Sequence, residues 1–166
     1  STHRDFMLAE VQASPAGTVR PWQVVGGAQP AYEITPVDKR KARELLYAAE
    51  ASRSDADDAF ELVLSGATSP KTDLMQVAKI YTDILEIEGA SSTSDAVADM
   101  KCVINASVGL SWSMRSAADA FLEILRAEGA SGTSDAQTAF GLVTMLADEH
   151  GLDPEALVRT YVDLLR

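Results

Sequence analysis

Few side chains in this sequence stand at spacings that chemistry can use. His150 directly follows Asp148 and Glu149, and an imidazole beside two carboxylates suggests a metal cluster. Three consecutive helical residues, however, point to different sides of the axis, so His150 reads instead as a histidine at a helix C-terminus before Gly151. Asp55, Asp57 and Asp58 have the acidic density of a calcium loop but lack its glycine and closing glutamate, which leaves a solvated helix start. Cys102 is the only cysteine. It cannot form an internal disulfide or a cysteine-based metal site, and it stands in register with Leu62 and Leu142, as a small core residue would. Asn105-Ala106-Ser107 is a formal glycosylation sequon inside a predicted helix and is expected to remain unmodified. The sequence offers no catalytic set, and no metal or cofactor is expected.

What organises these residues is a repeat. Glu88-Gly89-Ala90-Ser91-Ser92-Thr93-Ser94-Asp95-Ala96 returns forty residues later as Glu128-Gly129-Ala130-Ser131-Gly132-Thr133-Ser134-Asp135-Ala136, a period that marks stacked supersecondary units. Residues 51–90 and 91–130 share only 11 of 40 positions, so the identity of the matching columns carries the argument. They are caps and apolar faces: Val63, Val103 and Val143; Tyr81, Phe121 and Tyr161; Leu45, Leu85, Leu125 and Leu165.

Each unit predicts two helices. The first is capped by Ser54, Ser94 or Ser134, with Asp55, Asp95 or Asp135 in the first turn where the helix dipole favours an anion. Its buried face is Ala56, Phe60, Val63 and Leu64, then Ala96, Met100, Val103 and Ile104, then Ala136, Phe140 and Val143, all at helical spacing. The second helix is predicted to start at Ser69-Pro70, Ser111-Trp112 and Asp153-Pro154-Glu155, because proline is tolerated in a first turn. Its stripe is Leu74, Val77, Tyr81, Ile84 and Leu85, with matching sets from Met114 to Leu125 and from Leu157 to Leu165. Gly89 and Gly129 close the first two units as left-handed caps. A further helix over residues 36–51 opens on Thr35-Pro36-Val37-Asp38. Before it, residues 1–34 hold three of the six prolines and read as an extended arm, with Trp22-Gln23-Val24-Val25 as a short strand or hydrophobic latch.

The expected fold is therefore all-α: about three 40-residue helix-turn-helix repeats over 52–90, 91–130 and 131–166, behind one leading helix, about seven helices in total. A helix pair of this size cannot bury its apolar face alone, so the pairs must stack. The third unit stops before its glycine cap, which suggests that the natural chain continues past Arg166, or that an apolar edge there is exposed or pairs with a second molecule.

Composition narrows the function. At 46% hydrophobic and 23% charged, the chain can bury a core. No apolar run approaches the length of a membrane span, and the first 30 residues carry no secretory signal pattern; a soluble chain compatible with a reducing compartment is expected. A net charge of −11 works against nucleic acid and anionic membrane and suits a basic or neutral protein partner. Lys39, Arg40, Lys41 and Arg43 form a basic cluster at a helix N-terminus, where cations are disfavoured. It reads either as a docking patch for an anionic group or acidic peptide, or as a solvated, ion-paired face. Trp112 breaks its own column, opposite Thr72 and Leu152, and reads either as a contact anchor or as a filler between helix pairs.

The period and the helix-turn-helix grammar of residues 36–166 resemble the α-solenoid class that includes HEAT, armadillo, tetratricopeptide and pentatricopeptide repeats. The Trp, Gly, Tyr and Pro columns of a tetratricopeptide repeat are not met. The resemblance implies protein binding through a curved face. The expected function is a non-enzymatic protein-interaction scaffold or adaptor, a right-handed stack in which one helical layer forms a groove, and the residues themselves suggest Trp112, Lys39, Arg40 and Arg43 as contacts. Short arrays of this class also occur in bacterial effector proteins delivered into host cells, which the arm would suit. The alternatives are a single-stranded RNA binder of the pentatricopeptide kind, which needs a basic groove, and a regulatory domain of an enzyme lying outside this chain.

Overall fold

Thr35 and Pro36 begin the first helix as their chemistry requires. In a computed structural model describing residues 33–68, 72–129 and 132–166, α1 spans Pro36–Ala49. The Thr35 hydroxyl accepts the Asp38 N–H at 3.2 Å, and the Asp38 carboxylate accepts the Thr35 N–H at 3.2 Å. This reciprocal box satisfies two donors that a helix start otherwise leaves without partners. Six further helices follow: α2 (Arg53–Thr68), α3 (Leu74–Glu88), α4 (Thr93–Leu110), α5 (Met114–Glu128), α6 (Thr133–His150) and α7 (Pro154–Leu165). Among the described residues there is no strand, and no helix is long and apolar enough to cross a membrane. The expected arm lies outside the described residues except for Glu33 and Ile34; Ile34 packs partly buried against the core.

Several helix starts differ from the sequence expectation. The helices of the first kind begin two residues early, so Ser54, Ser94 and Ser134 fall inside the first turn, and the cap column is Ser52, Ser92 and Gly132. The Ser52 hydroxyl accepts the Asp55 N–H at 3.1 Å. In this first copy a cap three residues before an acid has the favoured spacing, and Ser54 stands only one residue before its aspartate; Ser92 and Gly132 make no side-chain cap bond. Helix α3 starts at Leu74, with Asp73 accepting the Met75 N–H at 3.1 Å; the predicted Ser69-Pro70 start lies outside the described residues. Ser111 does not start α5. It ends α4 in the left-handed region at φ 51°, and Ser113 caps α5 by accepting the Ser116 N–H at 3.1 Å. Asp153-Pro154 starts α7 as predicted, with Asp153 accepting the Glu155 N–H at 3.0 Å.

Gly89 and Gly129 do close α3 and α5, but at φ 102°, ψ 144° and φ 87°, ψ −177°. This is positive-φ, extended-ψ backbone rather than the left-handed helical well. Only glycine enters it readily.

Packing follows chain order. Each helix rests on the next and on the one after that: α1 on α2 and α3, α2 on α3 and α4, and so on to α5 on α6 and α7. The odd-numbered helices thus form one layer and the even-numbered helices the other, a packing compatible with a helical-repeat bundle. The repeat columns fill the space between layers. Ala56, Ala96 and Ala136 are buried, as are Val63, Val103 and Val143, and Leu74, Met114 and Pro154 begin buried faces on α3, α5 and α7. The alanines let the backbones approach, and the larger residues fill the volume between them.

Candidate binding groove and inter-repeat carboxylates

Two features rise above the core packing: a groove on the even layer and a row of carboxylates at the helix ends. The groove follows from two small differences between repeats. At the α2–α4 junction the Ile104 side chain comes within 2.9 Å of where a Cβ on Gly66 would stand, so a branched knob packs on bare backbone. Forty residues on, Thr144 replaces Ile104 and Ala106 replaces Gly66. The knob is gone, and a groove of about 340 Å³ opens between α4 and α6, floored by Ala106, Leu110 and Phe140 and edged by Asn105, Thr144 and Asp148. Gly109 and Gly141 line it too, each with open space where a Cβ would stand. Met145 in the groove wall and Val108 on α4 are 40% and 49% exposed. Cys102 lies in the wall, half-buried, its thiol pushed up by burial and by Asp99.

The carboxylates tie one unit to the next. Glu50, buried at the end of α1, accepts the Tyr81 phenol at 2.7 Å and the Thr93 hydroxyl. Glu88, at the end of α3, accepts the Thr133 hydroxyl at 2.8 Å. Glu128, at the end of α5, accepts the Tyr161 phenol. In each case a helix-terminal glutamate receives hydroxyls from the following units. Asp99 lies fully buried on α4 with the Gln137 amide donating to it at 2.7 Å.

Burial raises both phenols well above their usual range, and the adjoining glutamates raise them further. The sign of the linkage is then fixed. Above pH 10.0, the ordinary value, the unfolded chain sheds these protons while the native chain keeps them. Native stability is therefore expected to fall with rising pH from there, by up to about 1.4 kcal/mol per pH unit for each tyrosine. Absorbance titration checks this: Tyr81 and Tyr161 should ionise together with unfolding, and ionisation of either while the helices stay intact would contradict it.

The residues singled out as contacts do not converge. Trp112 is 2% exposed, at the α4–α5 turn, its ring stacked on Phe140 with centroids 6.3 Å apart. A buried ring gives a partner no area, so the contact-anchor expectation yields to the packing one. Lys39, half-buried, and exposed Arg40 and Arg43 lie on α1, which packs on α2 and α3. Arg43 is engaged already, its guanidinium 4.3 Å above the Phe60 ring, a favourable cation–π contact. His150 is exposed at the end of α6, 3.7 Å from the Glu149 carboxylate, and among the described residues no three His, Cys, Asp or Glu side chains gather as a metal would need. Sequence reasoning missed both the groove and the carboxylates. The available signals were Asp99 in a column otherwise held by Ala59 and Ala139, and the Ile104-to-Thr144 change.

Compared with known protein families, curated proteins and solved structures, the chain matches none.

Proposed function

We propose that this chain is a short α-solenoid of about three helix-turn-helix repeats acting as a non-enzymatic protein-interaction module. The groove between α4 and α6 is the observation that carries this reading. Its volume, apolar floor and bare-backbone glycines suit an inserted side chain or the apolar face of a helix, and Met145 supplies an adaptable contact. The even layer is acidic: Asp57, Asp58 and Glu61 on α2 and Asp135, Asp148 and Glu149 on α6 are exposed, against Arg53 and Lys101 as exposed Lys or Arg in that layer. An amphipathic segment with basic flanks fits such a surface, and the same charge opposes an RNA backbone. Arg40 on α1 remains available for a secondary contact with an anionic group.

Peptides selected from a random display library on the immobilised protein test this directly. Amphipathic sequences with Lys or Arg beside an apolar stripe are expected, and Gly141→Gln with Met145→Glu should weaken their binding by at least about tenfold, or about 1.4 kcal/mol. Both positions are exposed, so the fold should persist. Equal binding to the parent and the variant would remove the groove from the proposal.

A further inference from the structure

At the first and last junctions, a glutamate receives a phenol: Glu50 from Tyr81 and Glu128 from Tyr161. The middle junction breaks the series, because Phe121 occupies the tyrosine column and has no hydroxyl to give to Glu88. Asp99 stands beside Glu88 instead, an acid where the other units carry Ala59 and Ala139. It is fully buried. Its Oδ1 accepts the Gln137 amide at 2.7 Å, while its Oδ2 is shut off from solvent and receives no hydrogen bond. The charged groups acting on it are Glu88, from the end of α3, and Asp95, on α4 itself; no cation is among them. From α6 come the neutral Gln137 amide and the Thr133 hydroxyl, the latter already given to Glu88. One turn along α4, the Cys102 thiol is itself raised by Asp99. From α2 and α5 no charged group is among those acting on Asp99.

A fully buried carboxylate beside the half-buried one of Glu88, without a cation, cannot stay ionised cheaply. One proton resolves the conflict, and it supplies the donor that Phe121 lacks. We propose that a proton on Asp99 Oδ2, donated to Glu88, closes the middle junction in place of the missing phenol, and that its loss to solvent loosens α4 from α3 and α6. The charge balance agrees, since burial first and Glu88 second push the Asp99 carboxyl up to about 8. An unfolded Asp99 ionises near 3.8. Between those values the native state holds one proton more than the unfolded state, so the junction is most stable at the acid end and weakens as pH rises towards the native value. Because α4 and α6 are also the walls of the groove, the same proton sets how firmly those walls are held.

Carboxyl-carbon NMR on the whole chain reads the proton directly. Asp99 is expected to titrate with a midpoint near 8, and a midpoint in the ordinary aspartate range of about 4 would overturn the proposal. The mechanical half is read by amide exchange across α4, in the wild type relative to Asp99→Asn. Asparagine keeps the Gln137 contact and offers Glu88 a permanent N–H donor. Taking the variant as reference at each pH, wild-type protection should fall at least about tenfold between about pH 6 and about pH 9. Asp99→Ala, which restores the residue found at positions 59 and 139, provides the same reference should the amide fit poorly. A constant ratio across that range would show that the proton does not govern the junction.

Discussion

Trp112→Ala is expected to lower the free energy of unfolding by about 4 kcal/mol, the upper part of the range for removing a large buried aromatic side chain. The ring is 2% exposed and lies between helices that belong to different repeats. Phe140 of α6 stacks on it with planes 20° apart, and Phe121 of α5 meets Phe140 edge-on with centroids 5.3 Å apart. Three aromatic rings from two successive units thus form one packed group through Phe140, and deleting Trp112 takes contact from Phe140 and from the turn that holds it. That turn is built tightly: the Ser107 hydroxyl donates to the Trp112 carbonyl at 2.6 Å, the Trp112 N–H donates to the Ser107 carbonyl at 3.0 Å, and Ser111 holds a positive φ. A rigid turn cannot collapse into the space, so the cavity persists. Urea denaturation followed by circular dichroism measures the loss, and heating should show a midpoint roughly 10–20 °C lower.

Trp112→Phe separates ring packing from the indole N–H. Nε1 is buried and has no acceptor among the described residues, so the N–H contributes desolvation cost without a bond in return. Phenylalanine keeps most of the stacking area and removes that cost. It leaves only the extra volume of the indole empty, so it should cost under about 2 kcal/mol, roughly half the loss of the alanine variant. Similar losses for the two variants would mean that the N–H, not the ring, holds the site together.

Trp112 also illustrates which parts of the molecule the sequence exposes to reading. A forty-residue register with apolar columns at helical spacing specifies which faces are buried, because burial repeats wherever the column does; Val63, Val103 and Val143 behave alike for that reason. Helix ends are read less well. Serines at 52 and 54 are both acceptable caps by residue type, and the choice falls to the one whose distance from Asp55 fits the box. Tryptophan at a repeat boundary has the chemistry of a contact and of a filler alike, and only the position of Phe140 decides between them. The groove and the carboxylates were hidden for a deeper reason. Each arises from a departure from the register, Thr144 for Ile104 or Asp99 for alanine, and a departure acquires meaning only once the neighbour it faces is known. Glu50 is off the register altogether, two residues from where Glu88 and Glu128 would place it, yet it accepts the same kind of bond.

Tyr81→Phe is expected to cost about 2 kcal/mol, the scale of a buried hydrogen bond to a charged group. Tyr81 is wholly buried, and its phenol reaches Glu50, itself only 8% exposed. Without the hydroxyl, Glu50 keeps Thr93 as a donor but loses the second, and water has little access to replace it. Tyr161 provides the internal comparison: it makes the same bond to Glu128, but both residues are half-buried, so water can take the vacated place and Tyr161→Phe should cost under about 1 kcal/mol. A double-mutant cycle with Glu50→Gln assigns the difference to the bond itself. The Tyr81–Glu50 coupling should be about 1–2 kcal/mol, since an amide oxygen accepts the phenol more weakly than a carboxylate does. Equal losses at the two tyrosines would show that burial of the junction does not set the strength of these bonds. The unequal result would explain how the middle junction, with Phe121, tolerates having no phenol: Glu88 there is only half-buried and keeps the Thr133 hydroxyl as a donor, and Asp99 is the acid beside it.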